Sequence, residues 1–230
     1  MHLMLATVMA RLDRFNQAHP WSHNDHYRQW VIRQIPADAG ETLDVGCGTG
    51  NLVRALSTQV RRAQGIDRDP AIVKVALEAS TGIGNVSFEN RDLLDLPPVP
   101  RFDAVTAVAV VHHLPLDQAL TRIRAVVRPG GRVIIVGCYR EETAADHAVS
   151  LLAAPANVLI GWLKRNHAAQ ARVAMSAPTA TADTSLREVR ATAARILPGA
   201  RIRRQLFWRY SLTYTEPTVP NDGTTSTPPG

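Results

Sequence analysis

Cysteine is nearly absent from this chain of 230 residues, which has only Cys47 and Cys138. Two thiols cannot build a disulfide scaffold, a four-ligand zinc site or the three-cysteine cluster of an iron–sulfur radical enzyme, so no metal site is expected. Such sparing use fits a reducing compartment, and the expected location is the cytoplasm. Long apolar runs are missing too. The longest, Ala148 to Leu163, falls short of the ~18 to 20 residues of a membrane span and is broken by Pro155 and Asn157. The opening MHLMLATVMA is apolar, but no Lys or Arg precedes it and Arg11 and Arg14 follow, the reverse of a secretory signal. No membrane span is expected.

Lysine is the third scarcity: of 26 basic residues only Lys74 and Lys164 are lysine, so arginine carries nearly all of the net charge of +6. A basic chain raises nucleic acid as a partner. An arginine skew beside abundant alanine is also what G+C-rich coding produces, so nucleic acid is not the expected partner. One concentration outlives that discount. Arg187, Arg190, Arg195, Arg201, Arg203, Arg204 and Arg209 face only Glu188 across their stretch. A solvated face is the expected reading and an anionic partner the alternative.

What is present is the composition of a globular protein, 45% apolar and 20% charged, in a length that one core can serve. Leu5, Val8, Met9, Leu12 and Phe15 recur at helical spacing. A second helix is signalled by Ser22 as N-cap with Asp25 three residues on, and Pro36 closes it. Residues 1–36 are therefore read as N-terminal helices.

From Glu41 short apolar runs alternate with helical segments, the pattern of a parallel sheet covered on both faces. Strands are expected at 41–45, 62–66, 85–89, 103–110 and 132–137, and helices near 51–59, 70–80 and 115–127. Asp69-Pro70 places an N-cap before a proline at the first helical position, and Gly82 stops the helix it opens. Pro129-Gly130-Gly131 is read as a turn. Residues 143–165 read as one kinked or two short helices, 166–182 as a loop, 184–196 as a helix and 201–215 as a terminal strand pair. The domain thus spans 37–216 with a helical insertion at about 143–182. The tail 217–230, with Val219 its one apolar anchor, is expected to be disordered.

The richest stretch is Leu43-Asp44-Val45-Gly46-Cys47-Gly48-Thr49-Gly50, at the junction of the first strand and its helix. Alternate glycines permit a tight turn and let a ligand approach the backbone. A dinucleotide fingerprint read from Gly46 requires glycine at 51, and that residue is Asn51. Asp67 stands at the end of the second strand, 17 residues beyond Gly50, where a carboxylate can accept from two vicinal ribose hydroxyls. Asp92-Leu93 follows the third strand, where a carboxylate can receive an adenine amino group and Leu93 can pack on the ring. Three such positions at successive strand ends point to an adenosine ligand.

LDVGCGTG, GIDRDP, ENRDLLDLP, FDAVTAVAVVHHLP and VRPGGRVIIVG resemble, in order, the motifs of the class I S-adenosylmethionine-dependent methyltransferases. The resemblance runs from about Thr42 to Tyr139. It implies S-adenosyl-L-methionine as cofactor, with Asp44 and the loop of Gly46, Cys47, Gly48 and Gly50 holding its methionine part. Asp67, with Arg68 beside it, would take the ribose, and Asp92 with Leu93 the adenine. The backbone at Ala107 and Val108 would meet the methionine amino group. The implied fold is α/β, a Rossmann-like seven-stranded sheet with an antiparallel last strand, helices on both faces and a small helical lid.

The implied activity is methyl transfer to a small organic acceptor by in-line displacement; an RNA-modifying methyltransferase and a non-catalytic binding protein are the alternatives. Val108-Ala109-Val110-Val111 lacks the polar-Pro-Pro-aromatic motif of nucleic-acid amino methyltransferases, and two cysteines do not suffice for arsenic methylation. His112 and His113 follow the fourth strand, where a neutral imidazole can take a proton from a hydroxyl, or they simply bond the backbone. His23, His26, Tyr27 and Trp30 on the early helix, with Trp162 in the apolar segment AVSLLAAPANVLIGW, are candidate walls of an apolar or aromatic acceptor pocket; core packing gives the same composition.

Overall fold

The alternation that begins at Glu41 folds as a doubly wound sheet in the computed structural model, which describes residues 23–140, 142, 182–205 and 209–218, with the backbone alone for residues 23–26. The elements are α1 His23–Gln34, β1 Glu41–Val45, α2 Asn51–Leu56, β2 Arg62–Asp67, α3 Pro70–Glu78, β3 Val86–Asn90, β4 Phe102–Val108, α4 Leu116–Val126, β5 Val127–Cys138, α5 Leu186–Ile196, β6 Arg201–Gln205 and β7 Arg209–Thr215. Seven strands lie in the order β3-β2-β1-β4-β5-β7-β6. The first five pair in parallel, and β7 runs antiparallel to both β5 and β6.

Side chains alternate between the two faces of each strand, and each face is sealed by its own helices. Leu43, Val105, Ile135, Tyr210 and Leu212 pack with Leu120 and Ile123 of α4 and Val189 and Ala193 of α5. On the other face Ala63, Ala104, Ile134 and Val136 pack with Val31 of α1 and Val53 and Leu56 of α2. Several of these, Leu43, Leu120, Ile134 and Leu212 among them, are fully buried, each worth ~1.5 to 3 kcal/mol of transfer free energy.

The caps read at Asp69 and Gly82 are made. Asp69 Oδ1 accepts from the Ala71 amide at 2.9 Å, and Gly82 and Gly199 take left-handed backbone after α3 and α5. Ser185 and Glu188 form a capping box at the start of α5.

Three of the differences from the expected boundaries have a local cause. The helix expected at 51–59 stops at Leu56, because Asn85 Nδ2 donates to Ser57 O at 2.8 Å and Val60 O at 3.1 Å and so draws off the next carbonyls. The strand expected to reach residue 110 ends at Val108, where Ala109 turns to φ 57°. The turn Pro129-Gly130-Gly131 lies within β5, as an irregularity in its pairing with β4, and is held by reciprocal backbone bonds to Glu216.

The exposed Arg187, Arg190, Arg195, Arg201 and Arg203 lie on α5 and the edge strand β6, where charge keeps an unpaired edge from recruiting another strand. A hollow lined by Arg190, Ala193, Gly199 and Ile202 sits at the start of β6, at the end of the sheet opposite the parallel strands' carboxyl edge. The expected helix at 5–15, the segment 143–181 with Trp162, and residues 219–230 lie outside the described residues. Among the described residues no helix is long and apolar enough to cross a membrane, and no group of three metal-binding side chains occurs.

Candidate functional site

The sheet order reverses at β1: β2 lies on one side of it and β4 on the other, so the two crossovers diverge and leave a crevice at the carboxyl ends of these strands. Every candidate cofactor residue falls on that edge. Gly46, Gly48 and Gly50 all have positive φ, at 64°, 52° and 78°, but for different reasons. A Cβ at Gly46 would collide with the Val110 side chain, and one at Gly50 would come within 2.6 Å of the Phe88 ring. Those two glycines serve the packing of the loop. A Cβ at Gly48 meets nothing within 4 Å, so Gly48 is the open point of the cradle. Arg54 braces the loop from below, donating to Thr49 O at 2.8 Å and Ser80 Oγ at 3.1 Å.

Asp67 at the end of β2 accepts the Gly48 amide on Oδ2 and the Asp69 amide on Oδ1, each at 3.0 Å. A carboxylate offers about four acceptor directions, so each oxygen keeps one for a ligand hydroxyl. Arg68 is exposed beside it. Asp92 Oδ1 accepts the Leu94 amide at 2.9 Å. Leu93 is 3% exposed and packs in the interior with Ile66 and Val111.

Asp44 is buried, and the Thr106 hydroxyl donates to its Oδ1 at 2.7 Å across the β1–β4 pair. Burial pushes its carboxyl up to about 7; the Thr106 bond opposes this and the Asp67 charge adds to it. Cys47 is buried against Gly65, and burial with Asp44 and Asp67 nearby raises its thiol above the usual range. Thr106, Arg54 and Phe88 carry no mark in the sequence: they meet the site only through strand and helix packing.

Ala107 and Val108 end β4 at the switch point; Val45 pairs with Ala107, while Val108 pairs with Val136 of β5. A short 3₁₀ turn then places His112 and His113 with ring centroids 4.0 Å apart. His112 is half-buried and its Nδ1 has no hydrogen-bond partner. Burial, then His113 and Arg209, push its imidazole down to about 4. His113 is lowered by burial and by Arg68. Both rings are thus neutral near pH 7.

On α1, Tyr27 is buried and Trp30 half-buried, both packed with the cluster that holds Cys47 and Val136. Burial raises the Tyr27 phenol to about 12 against the opposing charge of Arg209. His23 and His26 lie on the first turns of the same helix. The structure brings the glycine loop, Asp44, Asp67, Asp92, Val108 and the two histidines to one edge. Arg209, read in the sequence only as one of a basic run, lies at that edge too.

Residues 42–131 match the family described as methyltransferase domain. Over 205 residues the chain is 30% identical to an uncharacterized methyltransferase of Mycobacterium tuberculosis, which spans 86% of this chain and 98% of that one. A ubiquinone biosynthesis O-methyltransferase of Xylella fastidiosa is 32% identical over 135 residues, 54% of each chain. Among solved structures, the magnesium protoporphyrin IX methyltransferase of Synechocystis PCC 6803, determined with bound SAM, has a TM-score of 0.56 at 15% identity and covers 89% of this chain and 83% of that one. That last likeness is one of fold.

Proposed function

Because this chain belongs to the class I S-adenosylmethionine-dependent methyltransferases, we propose that it methylates a small, apolar or aromatic organic acceptor by in-line displacement. When bound, S-adenosylmethionine supplies a methyl group on a sulfonium whose charge disappears as the S–CH3 bond breaks and the acceptor's lone pair forms the new bond. A dry, apolar site does not oppose such a step, so alignment supplies much of the rate. The O-methyltransferases among the relatives favour an oxygen as the accepting atom.

The observation that carries this reading is the pairing of the open Gly48 with Asp67, whose oxygens each retain an acceptor direction. In it Asp67 takes the ribose hydroxyls, with Arg68 beside it, and Asp92 with the turn at Leu93 borders the adenine. Asp44, Gly46, Cys47, Gly48 and Gly50 with the backbone of Ala107 and Val108 surround the methionine part. A methionine ammonium near Asp44 would favour its ionised form. His112 or His113 receives the acceptor's proton, and Tyr27 and Trp30 wall the acceptor from the helix that also carries His23 and His26. Trp162 and the helical lid expected at about 143–182 from the sequence lie largely outside the described residues. The domain spans 37–216, and the scarcity of cysteine supports a cytoplasmic location.

Calorimetry tests the cofactor assignment. S-adenosylmethionine and S-adenosylhomocysteine bind, NAD does not, and at ~100 times the dissociation constant either ligand adds ~2.7 kcal/mol of stability. A folded sample that gives no heat with either sulfur nucleoside overturns it. The exposed arginines of α5 and β6 favour one second reading, action on RNA; RNA binding that falls steeply with salt would support it.

A further inference from the structure

Arg209 opens β7 directly beside Cys138, the last residue of β5, and its Nη1 donates to Cys138 Sγ at 3.1 Å. Its Nε is buried and has no hydrogen-bond partner. Strand alternation puts Arg209 on the face covered by α1, since Tyr210 and Leu212 point to the other. From there it acts electrostatically on Tyr27 of α1 and on His112 after β4. Helix α1, the turn after β4 and the end of β5 thus all lie in the field of one guanidinium.

None of these neighbours balances its charge. Burial holds the Cys138 thiol above its ordinary range, so the sulfur is neutral. The Tyr27 phenol at about 12 and the His112 imidazole at about 4 are also neutral near pH 7. No described carboxylate makes an ion pair with Arg209. A half-buried cation without a counter-charge among the described residues costs free energy in the free protein. His112 Nδ1, in the field of Arg209, is a second buried polar atom without a partner. Two orphaned groups from β7 and the turn after β4, at the mouth of one cleft, are what a polar ligand group would satisfy.

We propose that Arg209 binds an anionic oxygen group, a carboxylate or a phosphate, on the methyl acceptor, with His112 beside it. This rests on the methyltransferase reading and narrows it to acceptors that are apolar or aromatic in body and anionic at one end. The geometry sets the size. Arg209 stands two strand spacings, roughly 10 Å, from the end of β4, so a single aromatic ring with a short acidic arm reaches from the guanidinium toward that strand. Arginine suits the task, because its planar fork meets two oxygens of such a group at once.

The test uses the full chain saturated with S-adenosylhomocysteine and titrated with benzoate, phenyl phosphate and the neutral benzamide. The wild type prefers benzoate or phenyl phosphate over benzamide by about tenfold, and which anion wins separates a carboxylate from a phosphate source. Arg209→Gln erases the preference, Arg209→Lys keeps part of it, and both bind S-adenosylhomocysteine as the wild type does. Arg209→Met, which removes a charge that no described carboxylate pairs, leaves the melting temperature of the free protein equal or higher. Equal binding of anions and benzamide by the wild type overturns the proposal, as does a preference that survives Arg209→Gln or a marked fall in melting temperature on Arg209→Met. Failure to bind S-adenosylhomocysteine strikes the methyltransferase reading instead.

Discussion

The backbone amide of Gly48 donates to Asp67 Oδ2 at 3.0 Å, so the carboxylate at the end of β2 holds the loop that follows β1. Asp67 thereby has two tasks: it fixes the loop and offers its remaining lone pairs to a ligand. Asp67→Ala loses both. Charged hydrogen bonds are worth ~1.5 to 3 kcal/mol each, so S-adenosylhomocysteine affinity falls at least about tenfold by calorimetry. The fold survives, since the residue ends a strand. Unchanged affinity would make Asp67 a loop anchor alone.

The three glycines of the loop separate by the space around them. Gly48→Ala puts a Cβ into open space at φ 52°, a backbone strain of about 1 to 2 kcal/mol, and obstructs the cradle. Cofactor affinity falls more than stability does. Gly46→Ala must displace Val110, so its melting temperature drops further than that of Gly48→Ala. The reverse order in thermal melts would mean that the loop relaxes differently from the observed packing.

How much of this was legible in the sequence depends on the distance over which each residue acts. The parallel strands, the cap at Asp69 and the loop at Gly46 to Gly50 are local patterns of period or turn chemistry, and they appear where read. Thr106 bonds Asp44 across 62 residues and Arg209 reaches Cys138 across 71. No spacing rule marks such pairs. The sheet order brings them together, and nothing local in the sequence specifies that order. Leu93 shows the converse: its place after β3 reads as ligand-facing, yet its side chain turns into the core because the 3₁₀ turn at Leu93–Asp95 rotates it inward.

Asp44 makes stability depend on pH with a definite sign. Its carboxyl lies at about 7 when folded, against an ordinary 3.8. Between those values the folded chain keeps a proton that the unfolded chain releases, so its contribution falls as pH rises from about 4 to 7 and is lowest above. Asp44→Asn abolishes that dependence. In denaturant titrations without cofactor, the variant gains on the wild type across this window, by roughly 4 kcal/mol at most. Parallel curves would place the folded carboxyl near its ordinary value.

His112 sets a different pH signature. With its imidazole at about 4, it is already neutral at pH 6. Methyl transfer that uses it as proton acceptor therefore shows no histidine inflection between pH 6 and 8 and declines only below about 5. His112→Gln lowers kcat across the plateau with cofactor affinity unchanged. A histidine inflection that persists in His112→Gln would move the proton acceptor to His113, whose imidazole burial and Arg68 also lower.

Trp30 decides whether α1 borders the acceptor or only seals the sheet. It is half-buried and, like Val108 at the end of β4, packs against the cluster containing Tyr27 and Val136. If it walls the acceptor pocket, Trp30→Ala raises the acceptor KM while cofactor affinity and melting temperature change little. If it serves the core, truncation costs on the order of 3 kcal/mol, a fall of several degrees in melting temperature, and acceptor KM stays put. Tyr27→Phe is the companion: it keeps the ring in the core and removes only the hydroxyl that lies in the field of Arg209. A raised KM in Tyr27→Phe at unchanged melting temperature would assign the hydroxyl to the acceptor, and an unchanged KM in both variants would return α1 to the role of a cover.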